Sequence, residues 1–203
     1  MVEQSTRAEI VAAADDLFYR QGYAHTSFAD IASVVEISRG NFYHHFKSKD
    51  EILDAVIAAR IADTERMLAR WERAAEGPAA KGSAAKGSAD CIRSFIRMLV
   101  ANRSDIKRFG CPVGTLSAEL AKLAHPSQPG ANQLFTLLRT WLAQHFAALG
   151  RGADADALAL HLLARSQGVA SLANAFHDET FIRREVRLME EWLERETPKG
   201  VVP

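Results

Sequence analysis

At 203 residues the chain is long enough for one domain or two small ones, and 48% hydrophobic with 25% charged residues is typical of an ordinary globular protein. Its 25 basic and 25 acidic residues cancel, which argues against wholesale attraction to nucleic acid or membrane and leaves only local charged patches. With two cysteines, a start (MVEQSTRAEI) unlike a signal peptide and no run near the roughly 20 apolar residues of a membrane span, we expect a reduced, cytoplasmic protein without membrane contact.

Helical periodicity runs through almost every ordered stretch, with apolar residues three and four positions apart. No run alternates apolar and polar residues as a strand would. We therefore predict an all-α protein of about nine helices. A capping box at Thr6 and Glu9 predicts the start of the first helix, and Gly22 predicts its left-handed stop.

Three further helix starts follow within thirty residues. Ser27 with Asp30 opens a short second helix, and Ser38 caps a third one after a tight turn. Ser48 with Glu51 opens a long fourth helix. The pattern predicts a compact helical head followed by a long helix.

The amino-acid composition changes at residues 74–90, AAEGPAAKGSAAKGSAD, where AAKGS occurs twice in tandem. Such a segment is typical of a flexible loop. Helical periodicity resumes beyond it and predicts a helical bundle. Its helices begin with one through Ile92 and Leu99 and, after a break at residues 109–112, continue through Leu116–Leu123, about 131–149, about 155–176 and Ile182–Leu193.

Five consecutive rings, Phe42 to Phe46, follow Arg39 and Gly40 in the segment SRGNFYHHFKSKDEIL. On a wheel of 3.6 residues per turn, Phe42 and Phe46 share one side of the third helix. Gly40 and His44 share the opposite side. The two phenylalanines are therefore predicted to be buried, and the outer face is predicted to carry polar side chains.

Two short helices joined by a tight turn form the arrangement whose second helix enters a DNA major groove about 12 Å wide. Arg39 can donate a bidentate pair to guanine, Asn41 can pair with adenine, and the Tyr43 hydroxyl suits phosphate. From Ile37 to Lys49 the chain has three basic residues and no acidic one. Lys49 would join the first-turn amides of the fourth helix in holding a phosphate. The alternative is a merely solvated surface helix.

The stretch GYAHTSFADIASVVEISRGNFYHHFKSKDEILDAVI resembles the N-terminal DNA-binding region of the TetR family of bacterial transcriptional regulators. The Thr, Ile-Ala, Ser-x-Gly, Tyr-x-His-Phe and Ser-Lys-Asp/Glu-x-Leu elements occur in order, over about residues 6–57. The resemblance implies phosphate contacts from Thr26, Ser27, Tyr43, His45 and Lys49, and base contacts from Arg39, Asn41 and His44. Ser38, as the helix cap, and Gly40, which permits close approach, complete the predicted DNA-binding set.

One position departs from the family pattern, because Glu36 stands where the turn usually has glycine. If this turn requires a positive φ, Glu36 stores about 1 kcal/mol of strain. It also brings a carboxylate close to DNA. We expect weaker binding or a slightly different turn, without loss of function.

The resemblance implies a homodimer with its recognition helices about 34 Å apart on palindromic double-stranded DNA. We predict a DNA-binding domain at residues 1–50 and a ligand-binding and dimerisation domain at residues 51–203. The last two long helices would pair into a four-helix bundle, or else their apolar stripes belong to the core of one chain. These stripes are Leu158, Leu162, Val169, Leu172, Ile182, Val186, Met189 and Leu193.

Family members usually enclose a pocket for a small-molecule inducer that favours one dimer geometry over another. Residues that combine bulk with a polar group on the corresponding helices are the candidates, although ordinary core packing is the alternative for most of them. Arg165, among leucines, needs either an acidic ligand or a protein carboxylate. The predicted ligand-binding set is Phe95, Met98, Leu99, Phe109, Cys111, Leu137, Trp141 and Arg165.

The segment RFGCPVGTLSAEL, residues 108–120, resembles a Gly-Cys motif of one branch of the family, some members of which sense electrophiles or oxidants. Cys111 follows Lys107 and Arg108 and opens a predicted helix, and both features favour a reactive thiolate. The alternative is a small buried residue at a tight turn. Cys91 is expected to be structural.

Motifs of catalysis are missing from the sequence: HExxH, GxSxG, a Walker loop and a CxxC pair do not occur. GRGADA at residues 150–155 imitates a dinucleotide fingerprint, but a helix precedes it where a strand is required. We expect no enzyme activity, no cofactor and no metal site. The sequence favours an inducible repressor, and the alternative is a protein of the same fold without inducer, acting on DNA architecture or through a protein partner.

Overall fold

A computed structural model describes residues 2–76 and 84–197, without the side chains of residues 2–5, 39 and 84. Over these ranges the protein is all-α, as predicted, and contains ten α-helices and one π-helical turn. The helices are α1 (Val2–Gln21), α2 (Phe28–Val35), α3 (Arg39–His45), α4 (Lys49–Glu76), α5 (Ala84–Ala101), α6 (Arg103–Phe109), α7 (Pro112–Lys122), α8 (Gln128–Phe146), α9 (Ala155–Phe176) and α10 (Glu179–Glu196), with the π-helical turn Ala147–Arg151 after α8. In these ranges no helix has both the length and the apolar character needed to cross a bilayer.

Two expected boundaries are corrected. Helix α1 begins at Val2, so Thr6 and Glu9 lie inside it and do not mark its start, because no Pro or Gly interrupts the preceding residues. Helix α5 begins at Ala84, so the second half of the expected loop 74–90 is helical. Ala89 and Cys91 are buried there, and this packing outweighs the low helix propensity of the intervening Gly and Ser. Residues 77–83 of the expected loop lie outside the described residues.

The helices form two compact units, Met1–Thr64 with Pro112–Leu134 and Glu65–Cys111 with Phe135–Pro203. This division differs from the expected boundary at residue 50. The first turns of α4, and also α7 and the start of α8, pack with the N-terminal helices. A segment distant in sequence therefore completes the unit that carries the helix-turn-helix.

The core of the first unit joins α1 to α4 with the segment 112–134. Arg60, which is 8% exposed, is satisfied inside this unit: its Nε donates to Asp15 at 2.6 Å and its guanidinium donates to the carbonyl of Pro112 at 2.6 Å. The fully or almost fully buried apolar side chains are Ile10, Phe18, Tyr23, Ile31, Phe42, Phe46, Ile52, Leu53, Val56, Ile57, Leu116 and Leu120.

The second unit is a helical bundle with its own core. Helix α10 packs against α5 and α9, and α6 packs against α9. The largest buried side chains are aromatic or aliphatic, with one methionine, and they come from every helix of the unit. They include Leu68, Ile92, Phe95, Ile96, Ile106, Leu142, Phe146, Leu162, Ile182 and Met189.

Candidate nucleic-acid interface

Helices α2 and α3 begin at the side-chain caps that the sequence predicts. The hydroxyl of Ser27 accepts the N–H of Asp30 at 3.2 Å, and the Asp30 carboxylate accepts the N–H of Ser27 at 2.7 Å. Ser38 caps α3 by accepting the N–H of Asn41 at 3.3 Å. Each cap satisfies a first-turn amide that has no partner within its helix. The two helices are thus delimited locally, only three residues apart.

The turn between α2 and α3 places Glu36 in the left-handed region, at φ 57° and ψ 34°. Its N–H still donates to the carbonyl of Ala32 as in an α-helix, and its left-handed backbone ends α2. The positive φ on which the expected strain at Glu36 depends is therefore present. A side chain with a Cβ costs about 1–2 kcal/mol in this region, where glycine costs little.

Helix α3 separates its rings between two environments, as predicted. Phe42 and Phe46 are each 1% exposed, whereas Tyr43 is 49% exposed. The Tyr43 ring packs on Phe28 with centroids 5.4 Å apart, which leaves its outer edge at the surface. The buried pair anchors α3, and the tyrosine is held by its ring on the exposed side.

The outer face of α3 offers small and polar side chains to a partner. Asn41 and His44 are exposed, His45 is partly buried, and the two imidazole rings meet edge to face at 5.5 Å. A Cβ built on Gly40 would meet no atom within 4 Å, so packing within the protein does not require glycine there. The side chain of Arg39 lies outside the described part of the structure, and its assignment to a base edge stays a prediction.

The ammonium of Lys49 is engaged inside the first unit. It donates to the main-chain carbonyls of Tyr23 at 2.9 Å and Thr26 at 3.0 Å. It also lies 4.2 Å from the centroid of the Tyr23 ring. These carbonyls of the α1–α2 loop use two of the three ammonium donors, and the expected phosphate contact of Lys49 stays a prediction.

Two further members of the predicted set are also used within the fold. Thr26 is 1% exposed and its hydroxyl donates to the carbonyl of Gly22 at 2.7 Å. The Ser27 hydroxyl donates to the Asp30 carboxylate at 2.7 Å while it caps α2. These side chains position the start of α2, which leaves the exposed set on α3 as the main candidate surface.

Lys47, which sequence reasoning did not select, lies exposed at the end of α3. Its ammonium donates to the carbonyl of Tyr43 at 2.6 Å, and its N–H donates to Glu51 at 2.7 Å. It therefore places a cation beside Tyr43. The signal was available, because Lys47 is one of the three basic residues between Ile37 and Lys49.

A carboxylate from α7 holds the loop that leads into α2. Glu119 accepts the N–H of Tyr23 at 2.9 Å and the N–H of Ala24 at 2.8 Å. The chain turns at Gly22 with φ 91°, and a Cβ there would meet the Glu119 carboxylate at 3.1 Å. Sequence reasoning missed Glu119, since no local pattern shows which loop a distant carboxylate will meet.

Tyr23, Asp50 and His125 form a second contact between the segment 112–134 and the N-terminal helices. The Tyr23 hydroxyl donates to Asp50 at 2.5 Å, and the imidazole Nε2 of His125 lies 3.2 Å from the same hydroxyl. His125 Nδ1 accepts the N–H of Ser127, so Nε2 carries the proton of the neutral ring. Burial raises the pKa of Tyr23, and the hydrogen bond from Tyr23 lowers the pKa of Asp50. The start of α4 is thereby fixed to the α1–α2 loop.

The predicted ligand-binding residues lie in the second unit, and six of the eight gather at one apolar core. Phe95, Leu99 and Trp141 are buried in it, and three others pack against it. These three are Met98, Cys111 and Leu137. Phe109 is partly buried elsewhere. Arg165 donates to Glu185 at 3.3 Å, so a protein carboxylate supplies the partner that this cation needs.

A polar cluster that the sequence did not reveal lies at this core, on α4, α5 and α8. The indole N–H of Trp141 donates to Glu72 at 2.8 Å, and His145 Nε2 lies 3.6 Å from the same carboxylate oxygen. His145 Nδ1 lies 3.3 Å from the Ser88 hydroxyl. Burial lowers the pKa of His145. The cluster places a carboxylate and a mostly buried imidazole among aromatic rings.

The two cysteines differ in environment. Cys91 is 2% exposed, and burial raises the pKa of its thiol to about 11. Cys111 is partly exposed, and its sulfur accepts a hydrogen bond from Gln167 at 3.4 Å. The structural role expected for Cys91 agrees with this burial.

The two cations expected to activate Cys111 have other contacts. Lys107 pairs with Glu179 at 2.8 Å, and the Arg108 guanidinium lies 4.9 Å from the Phe109 ring centroid. Both contacts draw positive charge toward other partners.

The expected dimer stripe on α9 and α10 needs correction. Most of its residues are buried within the second unit itself, because α9 and α10 pack on each other and on α5 and α6. The buried ones are Leu162, Val169, Ile182, Val186, Met189 and Leu193. Leu172 is 44% exposed and lies on a different face of α9, together with exposed Gly168 and Phe176.

Comparison with known proteins agrees with this geometry. Residues 10–56 match the family model for bacterial regulatory proteins of the tetR family. The HTH-type transcriptional regulator TtgR of Pseudomonas putida is 42% identical over 67 residues, which cover 33% of this chain and 31% of TtgR. An HTH-type transcriptional regulator in the lacX 3′ region of Lactococcus lactis is 28% identical over 148 residues, or 72% of this chain and 70% of the relative.

A solved structure extends the likeness beyond the helix-turn-helix. The TetR-family transcriptional regulator from Agrobacterium tumefaciens covers 97% of this chain and 100% of its own, with 26% identity and a TM-score of 0.76. The sequence match thus covers the capped helices around α3, and the structural match continues through the bundle. The chain belongs to the TetR family of bacterial transcriptional regulators.

Proposed function

We propose that the protein is a repressor that binds a palindromic operator as a homodimer and is released by an inducer. The observation that carries this proposal is the division of α3, with Phe42 and Phe46 buried and the face of Asn41, Tyr43 and His44 exposed. A helix held by two rings and exposed on its polar side suits a major groove. Because its partner is chromosomal DNA, the proposed site of action is the cytoplasm.

The outward residues take different roles in this proposal. Arg39, Asn41 and His44 read base edges, and Gly40 lets the backbone approach. The Tyr43 hydroxyl and His45 bind phosphate, and Lys47 adds a cation beside them. Ser38, Thr26, Ser27 and Lys49 act chiefly by holding α2, α3 and the loop before them in place.

The proposed dimer contact is the exposed face of α9. Gly168, Leu172 and Phe176 follow one another at intervals of four residues, so they share one face of the helix. Phe176 is 71% exposed, and a Cβ on Gly168 would meet no atom within 4 Å, so two copies of this helix can approach closely. Gly168→Arg should give monomers in sedimentation experiments, whereas Thr140→Arg, which enlarges an exposed position of α8, should leave a dimer.

The proposed inducer site is the polar cluster of Glu72, Trp141 and His145 in the second unit. It joins a carboxylate and an imidazole to two indole rings, since Trp71 lies 5.8 Å from Trp141. Such a combination of apolar walls and few polar groups is typical of ligand sites. Arg165 is already paired with Glu185, so it does not call for an acidic inducer.

Selection of duplexes from a random pool by the full-length protein tests the proposal. We expect a palindrome whose half-sites are one helical turn apart, and loss of selection for Asn41→Ala with His44→Ala. Failure to enrich any sequence would refute operator recognition. The alternative, a DNA-binding protein without inducer, predicts that no compound in a small-molecule screen raises the melting temperature, whereas an inducible repressor gains stability with ligand concentration.

A further inference from the structure

A small pocket opens between α2 and α3, next to the proposed DNA-reading face. Its volume is about 310 Å³, and it is lined by Ser27, Phe28, Ala29, Ala32, Phe42 and Tyr43. Five of these six side chains are apolar or aromatic. Neither the caps nor the buried anchors of α3 explain why this depression is left open.

The walls of the pocket are rigid aromatic rings. Phe28 packs edge to face on Phe42 with centroids 5.1 Å apart, and it lies 5.4 Å from Tyr43. Phe42 is 1% exposed and forms the floor. Ala29 is exposed and Ala32 is partly buried, so small side chains keep the mouth of the pocket open.

Polar groups at the rim are engaged with each other. The hydroxyl and the N–H of Ser27 both contact the Asp30 carboxylate, at 2.7 Å each. This carboxylate disfavours a phosphate at the same place, because two anions would lie close together. The pocket therefore suits an apolar group better than a charged one.

The position of the pocket indicates which apolar group it binds. Tyr43 lies three residues after Gly40 on α3, so the pocket adjoins the face that enters the major groove. The 5-methyl of thymine is the apolar group that bases present in this groove, and Ala and Phe side chains are among those that contact it.

We infer that the pocket of Phe28, Ala29, Ala32 and Tyr43 receives the 5-methyl group of one operator thymine in each half-site. This inference rests on the proposed operator binding and adds a specificity-determining contact from α2 to the base contacts of α3. The pocket takes the methyl and the pyrimidine edge that carries it. Loss of one methyl should weaken binding roughly fourfold, the value of one buried carbon group.

The test uses the full-length protein and the palindrome that it selects. Each thymine pair is replaced in turn by deoxyuridine, which keeps base pairing and lacks only the methyl, and the Kd is measured at fixed salt. We expect one symmetry-related pair of thymines whose replacement weakens binding roughly 15-fold, as two methyl groups are lost. Ala29→Leu, which fills the pocket, should bring the ratio of the two Kd values close to one.

Ser33→Leu is the matched control, since it enlarges another exposed position of α2 outside the pocket and should keep the ratio. The inference is overturned if no thymine is sensitive, if the selected palindrome lacks thymine, or if Ala29→Leu keeps the discrimination. If Ala29→Leu weakens binding to the thymine and deoxyuridine duplexes equally, so that the ratio of their Kd values is unchanged, the pocket contacts a sugar or phosphate and not a methyl group. Operator recognition itself fails only if wild-type protein selects no sequence, so the two failures are distinguishable.

Discussion

The ammonium of Lys49 lies 4.2 Å from the ring centroid of Tyr23 and donates to the carbonyl of the same residue. We predict that Lys49→Met lowers the free energy of unfolding by about 1–3 kcal/mol, because two charge-assisted hydrogen bonds and a cation–π contact are lost. Urea denaturation measures this change. The salt dependence of DNA binding should stay as in wild type.

Lys47→Met is the control for this prediction, since Lys47 is exposed and adjoins Tyr43. Its stability should change by less than about 0.5 kcal/mol. Its plot of log affinity against log salt should lose a slope of about 1, as expected for one phosphate contact. If the slope falls for Lys49→Met and not for Lys47→Met, the two roles are reversed.

Tyr43→Phe separates the ring of this residue from its hydroxyl. The ring contact with Phe28 remains, so the melting temperature should change little. Loss of the hydroxyl should weaken binding about 3- to 10-fold on operator and unrelated duplex alike, because a phosphate contact carries no sequence information. Fluorescence anisotropy with both duplexes measures this, and a loss confined to the operator would contradict the assignment.

Glu36→Gly should stabilise the protein by about 0.5–1 kcal/mol, because glycine adopts the φ of 57° without a Cβ penalty. It should also strengthen DNA binding a few-fold, since a carboxylate leaves the turn. His177→Gly is the control: it relieves a similar φ of 53° at the end of α9 and should stabilise without changing DNA affinity. If Glu36→Gly binds DNA with wild-type affinity, the Glu36 carboxylate does not lie close to DNA in the complex.

Glu119→Gln tests the hold of α7 on the loop before α2. The amide offers one acceptor where two N–H groups need partners, so we expect a loss of about 1–2 kcal/mol of stability. Faster hydrogen exchange at Tyr23 and Ala24 should accompany it. Operator affinity, measured well below the melting temperature, should fall several-fold, and unchanged affinity would mean that Glu119 only stabilises the fold.

Alkylation should distinguish the two cysteines. Burial raises the pKa of the Cys91 thiol to about 11 and shields its side chain, so a maleimide should label Cys111 first. Mass spectrometry of wild type, Cys111→Ser and Cys91→Ser measures the order. Operator affinity that survives complete labelling of Cys111 would end the proposal of a thiol sensor.

Local signals made much of the first unit predictable. The caps at Ser27 and Ser38 and the burial of Phe42 and Phe46 each follow from residues within one turn of each other. Such features depend on backbone groups and helix periodicity, which a sequence displays directly.

Features that depend on distant partners were not predictable in the same way. Periodicity shows that Val186 and Met189 lie on an apolar face, but not whether that face meets the same chain or a second one. Lys49 is a cation in a helix start, and only the fold shows that loop carbonyls reach it. Glu119 and Glu72 likewise acquire their partners through tertiary packing.

The packing of Leu116, Leu120 and Ala131 among the N-terminal helices affects how the protein can be made. A nascent chain that has emerged only through Thr64 already contains the whole helix-turn-helix, yet it lacks the side chains that cover part of its core. The DNA-reading helices should therefore remain protease-sensitive on the ribosome until Leu134 emerges. Expression of residues 1–64 alone should therefore give an unstable fragment.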